Sequence, residues 1–189
     1  DVGGAFGTKG PQYVEHRLTM WAAKKIGRPV KWTCDRSEAI LADEHGRDVI
    51  FESELALDSQ GQFLALRAST IANVGAYISS MRNIQASFSN MGGIVGVYKI
   101  PASYVSVVGG MTNTNSTAPY RGAGRPEASY VIERLIDEAA RELAIDPAEL
   151  RERNFIQPED MPYKTSLVFK YDCGDFPANM AKVLEMADY

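Results

Sequence analysis

The chain has 189 residues, 45% apolar and 23% charged, the proportions of a globular protein long enough to bury a substantial core. Lys and Arg number 20 against 24 Asp and Glu, for a net charge of −4. That mild acidity, spread along the chain, argues against a nucleic-acid or anionic-membrane surface, which needs clustered basic residues. No apolar run nears the ~18–20 residues of a transmembrane helix. The opening Asp1-Val2-Gly3-Gly4 has neither the basic start nor the apolar stretch of a signal peptide. Cys34 and Cys173 stand far apart with no CxxC, and with His16 and His45 they offer neither zinc-finger spacing nor enough cysteines for an iron–sulfur cluster. A reduced, cytoplasmic protein is expected. With no initiator Met and a glycine-rich start, residues 1–189 are expected to be part of a longer polypeptide.

Four glycines, Gly3, Gly4, Gly7 and Gly10, form an opening loop. Pro11 then suits a first helical position. Val14, Leu18, Trp21, Ala22 and Ile26 recur at helical spacing, and Gly27 and Pro29 close that helix. Val30-Lys31-Trp32-Thr33 predicts a short strand, and Asp35 to Gly46 a turn of helix and a loop. Val49, Phe51, Leu55 and Leu57 alternate with Glu52 and Glu54, a strand with acids outward. Asp58-Ser59-Gln60-Gly61 makes the turn, with Gly61 left-handed, and Phe63 to Val74 returns as the second arm of a long hairpin. Gly75 to Gly96 predicts packed loop with at most a short helix, and Ala102 to Val108 a further strand.

The last third predicts helices. Ala128, Val131, Ile132, Leu135, Ile136, Ala139, Ala140 and Leu143 fall on one stripe. Asp146-Pro147-Ala148-Glu149 opens another helix as a capping-box variant, and Phe176 to Tyr189 forms the last. The fold class is α+β: a long β-hairpin and short strands packed with helices.

Two stretches carry unusual chemistry. Gly3-Gly4-Ala5-Phe6-Gly7-Thr8-Lys9-Gly10 runs into a helix start, where backbone N–H groups and the helix dipole favour an anion. It is neither a P-loop, since Thr8 and not Gly precedes Lys9, nor a dinucleotide GxGxxG. A structural turn and an anion site both fit it. The second stretch, Thr112 to Pro126, sets Arg121 and Arg125 among Gly122, Ala123 and Gly124 ahead of the long helix. Each guanidinium suits a phosphate or carboxylate, or simply caps a turn in solvent. Two such loops point to one large anionic ligand between them.

Gly3-Gly4-Ala5-Phe6-Gly7-Thr8-Lys9 resembles the Gly-Gly-x-Phe-Gly-x-Lys loop of the molybdenum hydroxylases, the xanthine dehydrogenase, aldehyde oxidoreductase and carbon monoxide dehydrogenase large subunits. Ala118-Pro119-Tyr120-Arg121-Gly122-Ala123-Gly124-Arg125-Pro126-Glu127 resembles their second, metal-proximal loop. Gly27-Arg28-Pro29-Val30, Asp35-Arg36-Ser37-Glu38, Asn73-Val74-Gly75-Ala76-Tyr77, Tyr98-Lys99-Ile100-Pro101, Asp146-Pro147-Ala148-Glu149-Leu150-Arg151 and Arg153-Asn154-Phe155 keep the family's order. The resemblance implies that residues 1–189 belong to the molybdopterin-binding domain of a longer large subunit. That subunit would hydroxylate an aldehyde or N-heterocycle with water as oxygen source.

The resemblance places Gly4, Ala5, Phe6 and Gly7 against a molybdenum–pyranopterin, in molybdopterin or its cytosine dinucleotide form, and Arg121 and Gly122 beside the metal. Ala123 would line the substrate pocket. No side chain need ligate the metal, and no catalytic residue lies in this chain, because the family's catalytic glutamate falls in a downstream Gly-Glu segment that this sequence lacks. FAD and 2Fe-2S clusters are expected on partner polypeptides or domains. The isolated chain should be inactive, and Glu127 reads as a helix cap. Carbon monoxide dehydrogenases carry Cys where this chain has Gly122, which argues against carbon monoxide as substrate. Gly10 and Ala123 depart from the glutamate and aromatic of purine-oxidising members, which argues against a purine. A reading from another class is a stand-alone anion- or nucleotide-binding module without redox activity.

Overall fold

A computed structural model describes residues 4–10, 12–88 and 92–189. Pro11, expected at a helix start, and part of the expected glycine-rich loops, Gly3 and residues 89–91, lie outside them. The chain runs α1 (Val14–Ile26), α2 (Arg36–Ala42), β1 (Val49–Leu57), β2 (Phe63–Gly75), α3 (Met81–Phe88), β3 (Ala102–Met111), α4 (Arg125–Leu143) and α5 (Pro147–Asn154). A two-stranded ribbon, β4 (Tyr163–Lys164) and β5 (Lys170–Tyr171), and α6 (Phe176–Ala187) complete it. The class is α+β, as the periodicities predict.

The expected β1–β2 hairpin forms, with Glu54 opposite Arg67 and Leu55 opposite Leu66. The Asp58 carboxylate accepts the N–H groups of Gln60 and Gln62 at 2.8 and 2.9 Å, and Gly61 takes the left-handed conformation at φ +77°. β3 then lies alongside β2 in parallel, giving a mixed sheet ordered β1-β2-β3. Parallel pairing needs a long crossover, and here the crossover contains α3.

One face of this sheet is covered. Ala128, Ile132, Ile136 and Ala140 on α4 share one buried cluster with Leu66 and Ala68 of β2 and with Ile94, Val95, Tyr98 and Ile100, and α4 packs against β1. Burying each Ile or Leu side chain is worth about 1.5–3 kcal/mol, so the α4 stripe anchors the helix. Leu135 is only partly buried at the edge of this cluster, whereas Ile136 is fully enclosed.

One expectation fails. Val30–Thr33 makes no strand, because β-prone residues alone form no ladder where no neighbouring strand lies alongside. The α1 stripe is periodic but not buried: Val14, Leu18, Trp21 and Ile26 are all more than half exposed. Gly27 does close α1 in the left-handed conformation, its N–H donating to the Ala23 carbonyl.

Candidate functional site

The first glycine loop is a tight turn held in left-handed backbone. Gly4, Phe6 and Gly7 have φ of +100°, +47° and +99°, the Lys9 N–H donates to the Ala5 carbonyl at 3.1 Å, and the Gly10 N–H donates to the Gly7 carbonyl at 3.1 Å. Phe6 is a costly residue for such a conformation, and it holds its ring 52% exposed.

The second loop repeats the pattern. Gly122, Ala123 and Gly124 take φ of +93°, +46° and +88° in succession, with the Ala123 N–H donating to the Tyr120 carbonyl at 2.7 Å. Gly124 is the N-cap of α4 and brings no side-chain cap; the Arg125 N–H donates instead to the Gly122 carbonyl at 3.0 Å, and Pro126 has no N–H. Arg121 and Arg125 are exposed.

The two loops touch. The Arg121 N–H donates to the Phe6 carbonyl at 2.9 Å, and the Arg121 guanidinium lies 5.6 Å from the centre of the Phe6 ring. A Cβ on Gly7 would run into the Pro119 carbonyl. That glycine is required by the approach of the other loop's backbone. Gly4, Ala5, Phe6, Gly7, Arg121, Gly122 and Ala123 therefore share one surface. Among the described residues, no acceptor meets the N–H groups of Phe6, Gly7 or Gly122.

Beneath the loops are residues that motif spacing does not reveal. Arg82, near the start of α3, donates through Nη2 to the Gly7 carbonyl and presses against Gly10, where a Cβ would meet its guanidinium carbon at 2.9 Å. Arg47, between α2 and β1, donates through Nη2 to the Arg121 carbonyl. Glu127 is not simply a cap: it lies in the first turn of α4, but its carboxylate pairs with Arg47 at 3.6 Å. Nothing in residue type distinguishes Arg47 or Arg82 from solvated arginines; only the fold does.

A buried polar network joins these supports. Asn83, fully enclosed, donates to Glu44 Oε1 at 3.0 Å and to the Thr117 carbonyl at 2.6 Å, and accepts from the Ser79 and Ser80 N–H groups at 2.8 and 2.9 Å. The Tyr13 hydroxyl donates to the Thr8 carbonyl and accepts the Glu44 N–H at 3.1 Å. Burial pushes the Tyr13 phenol up to about 12, so it stays a donor at neutral pH. Both loops are thus pinned by side chains of α3 and of residues flanking α1 and α2.

Among the described residues, no group of three or more His, Cys, Asp or Glu side chains stands close enough to hold a metal ion.

The model of the molybdopterin cofactor-binding domain family matches residues 1–155. The chain is 38% identical over 191 residues to the carbon monoxide dehydrogenase large chain of Hydrogenophaga pseudoflava, covering 100% of this chain and 24% of that protein. It is 32% identical over 194 residues to the 6-hydroxypseudooxynicotine dehydrogenase complex subunit gamma of Paenarthrobacter nicotinovorans, again covering 100% of this chain and 24% of that protein. Its fold is similar to that of quinoline 2-oxidoreductase from Pseudomonas putida 86, with a TM-score of 0.91 at 36% identity over 100% of this chain and 24% of that one. The chain spans about a quarter of the length of the relatives it matches.

Proposed function

The chain belongs to the molybdopterin cofactor-binding domain family, and from that footing we propose that its two touching loops form one wall of a molybdenum–pyranopterin site in a hydroxylating oxidoreductase. The observation that carries the reading is the Phe6–Arg121 contact. It turns two glycine loops, far apart in sequence, into a single surface with an exposed cation and with N–H groups that meet no acceptor among the described residues.

The donor set fits such a group. A pterin is a flat heterocycle rich in acceptors, and the N–H groups of Phe6, Gly7 and Gly122 are fixed, preorganised donors beside the exposed Phe6 ring. Gly4 and Ala5 complete the turn on which Phe6 stands. Arg121 adds a positive charge beside the N-terminus of α4. When bound, the molybdenum group supplies two-electron redox chemistry with oxygen drawn from water. This chain's residues orient and screen; the proton-abstracting base belongs to another part of the polypeptide.

The substrate class we favour is an aldehyde or an N-heterocycle, with Ala123 at the pocket. Carbon monoxide is disfavoured because Gly122 has no thiol, and a Cβ there would meet the Pro126 ring at 2.6 Å. The wider assembly we propose is a larger subunit working with FAD and 2Fe-2S polypeptides or domains, its cofactor as molybdopterin or the cytosine dinucleotide form. The free thiols of Cys34 and Cys173 suit a reducing, cytoplasmic compartment, and among the described residues no helix is long and apolar enough to cross a membrane.

The test is metal analysis with pterin fluorescence on the full-length polypeptide that carries this chain. Near-stoichiometric molybdenum and the fluorescence of an oxidised pterin are expected. A protein purified without either, from cells supplied with molybdate, overturns the reading.

A further inference from the structure

The turn at Gly122–Gly124 sets three consecutive residues in the left-handed region, and one of them, Ala123, carries a Cβ. Such a backbone persists only when its surroundings over-determine it. The surroundings here converge on Arg47. Its own backbone is left-handed at φ +62°, and the stretch before it is laid along the second loop. The His45 N–H donates to the Ser116 carbonyl at 3.2 Å, and the Ala118 N–H donates to the His45 carbonyl at 2.9 Å. Gly46 allows the approach, since a Cβ there would stand 2.7 Å from Tyr120 Cβ.

From that base the Arg47 side chain reaches three points of the turn. Its guanidinium covers the Tyr120 ring at 4.8 Å, Nη2 donates to the Arg121 carbonyl, and Nε faces Glu127 Oε1 at 3.6 Å. Glu127 is largely buried, and its Oε2 has no partner among the described residues. A buried carboxylate left with one free oxygen is costly unless a cation is held against it. The planar fork of arginine can stack, donate to a carbonyl and pair with a carboxylate at once; lysine cannot.

We propose that Arg47 and Glu127 are the positioning pair of the Arg121–Gly122 turn, holding it in the strained shape that presents the Arg121 guanidinium and the Gly122 N–H to a bound ligand. The pair touches no ligand itself and acts through Arg121. The inference rests on the reading of this surface given above only for what the turn presents its groups to.

The experiment compares Arg47→Lys, Arg47→Met and Glu127→Gln with the control Arg36→Met in the full-length holoenzyme, by amide hydrogen exchange, molybdenum content and steady-state kinetics. Exchange of the amides at residues 121–125 should quicken about tenfold or more in the two Arg47 variants and less in Glu127→Gln, with β1 and β2 protected as before. The rate constant kcat should fall about tenfold or more, with KM changed far less. Arg47→Lys keeps a cation for Glu127 and guards against simple misfolding; it should resemble Arg47→Met in exchange at the turn. Unchanged exchange in both Arg47 variants overturns the positioning pair. Faster exchange with unchanged kcat and molybdenum content upholds the pair and overturns instead the assignment of this turn to the cofactor site.

Discussion

Arg121 donates its backbone N–H to the carbonyl of Phe6 and lays its guanidinium against the ring of the same residue. Backbone and side chain of one loop are thus both committed to the other, which leaves the cation at the joint. In the complete enzyme, Arg121→Ala should lower kcat/KM by about 10²–10³, equivalent to about 2–4 kcal/mol of lost transition-state stabilisation at a preorganised site. Arg36→Ala, at the exposed start of α2, should change it little. Comparable rates for the two variants at equal molybdenum content would remove Arg121 from the site.

Gly7→Val forces a branched side chain into backbone at φ +99° and into the Pro119 carbonyl. The loops must part, so cofactor loading should collapse while circular dichroism stays near that of the parent. Ile136→Ala behaves in the opposite way. Its side chain is wholly enclosed between α4 and the sheet, so about 2–5 kcal/mol of stability should go, yet protein that remains folded should keep its molybdenum. Thermal melts and metal analysis on both variants separate the two cases. Full loading of Gly7→Val reduces the first loop to a mere turn.

Gly122→Cys cannot simply graft a thiol onto the second loop. The new Cβ would lie 2.6 and 2.7 Å from Cδ and Cγ of Pro126, at a φ of +93°. The single variant should lose cofactor or stability, and Gly122→Cys with Pro126→Ala should recover part of both by opening the space. Carbon monoxide oxidation is expected from neither. Molybdenum content and melting temperature of the pair decide it: a single variant as stable and as loaded as the parent contradicts the steric account.

Acid should loosen the stretch that follows α5. The Lys99 ammonium bonded to Asp160 at 2.5 Å, together with the Gln157 N–H, holds that carboxyl below its usual range. A carboxyl whose folded pKa is depressed contributes stability above its unfolded value, about 3.9, and loses it as pH falls through the folded one. Lys99→Met should therefore lower the melting temperature more at pH 7 than at pH 2, because the deficit shrinks as falling pH brings a proton to Asp160. An equal deficit at both pH values would show that the pair acts through packing alone.

Much of the fold could be read from periodicity. The alternation along β1, the Asp58–Gly61 turn and the α4 stripe are local patterns, and each formed where it was expected. The parallel partner of β2 could not be read, because β3 has to be brought back by a crossover that no short window encodes. Val30–Thr33 shows the converse error, β-propensity with no strand to join. In the site, glycines advertised both loops. The arginines that hold them, Arg47 and Arg82, gave no sign, because their partners are backbone carbonyls, which every residue possesses.

Asn154 closes the β1–β2 turn from the far end of the chain: its amide donates to the Gly61 carbonyl at 2.9 Å while its oxygen accepts the Phe63 N–H at 2.8 Å. Those partners stand 93 and 91 positions earlier in sequence. During synthesis at about 5–20 residues per second, the hairpin tip therefore waits several seconds before its closing residue is made. Until then Leu66 and Ala68 have no α4 to lie against, and the young sheet must be sheltered or remain unmade. The order of translation, not the local strength of the hairpin, sets when this half of the molecule becomes native.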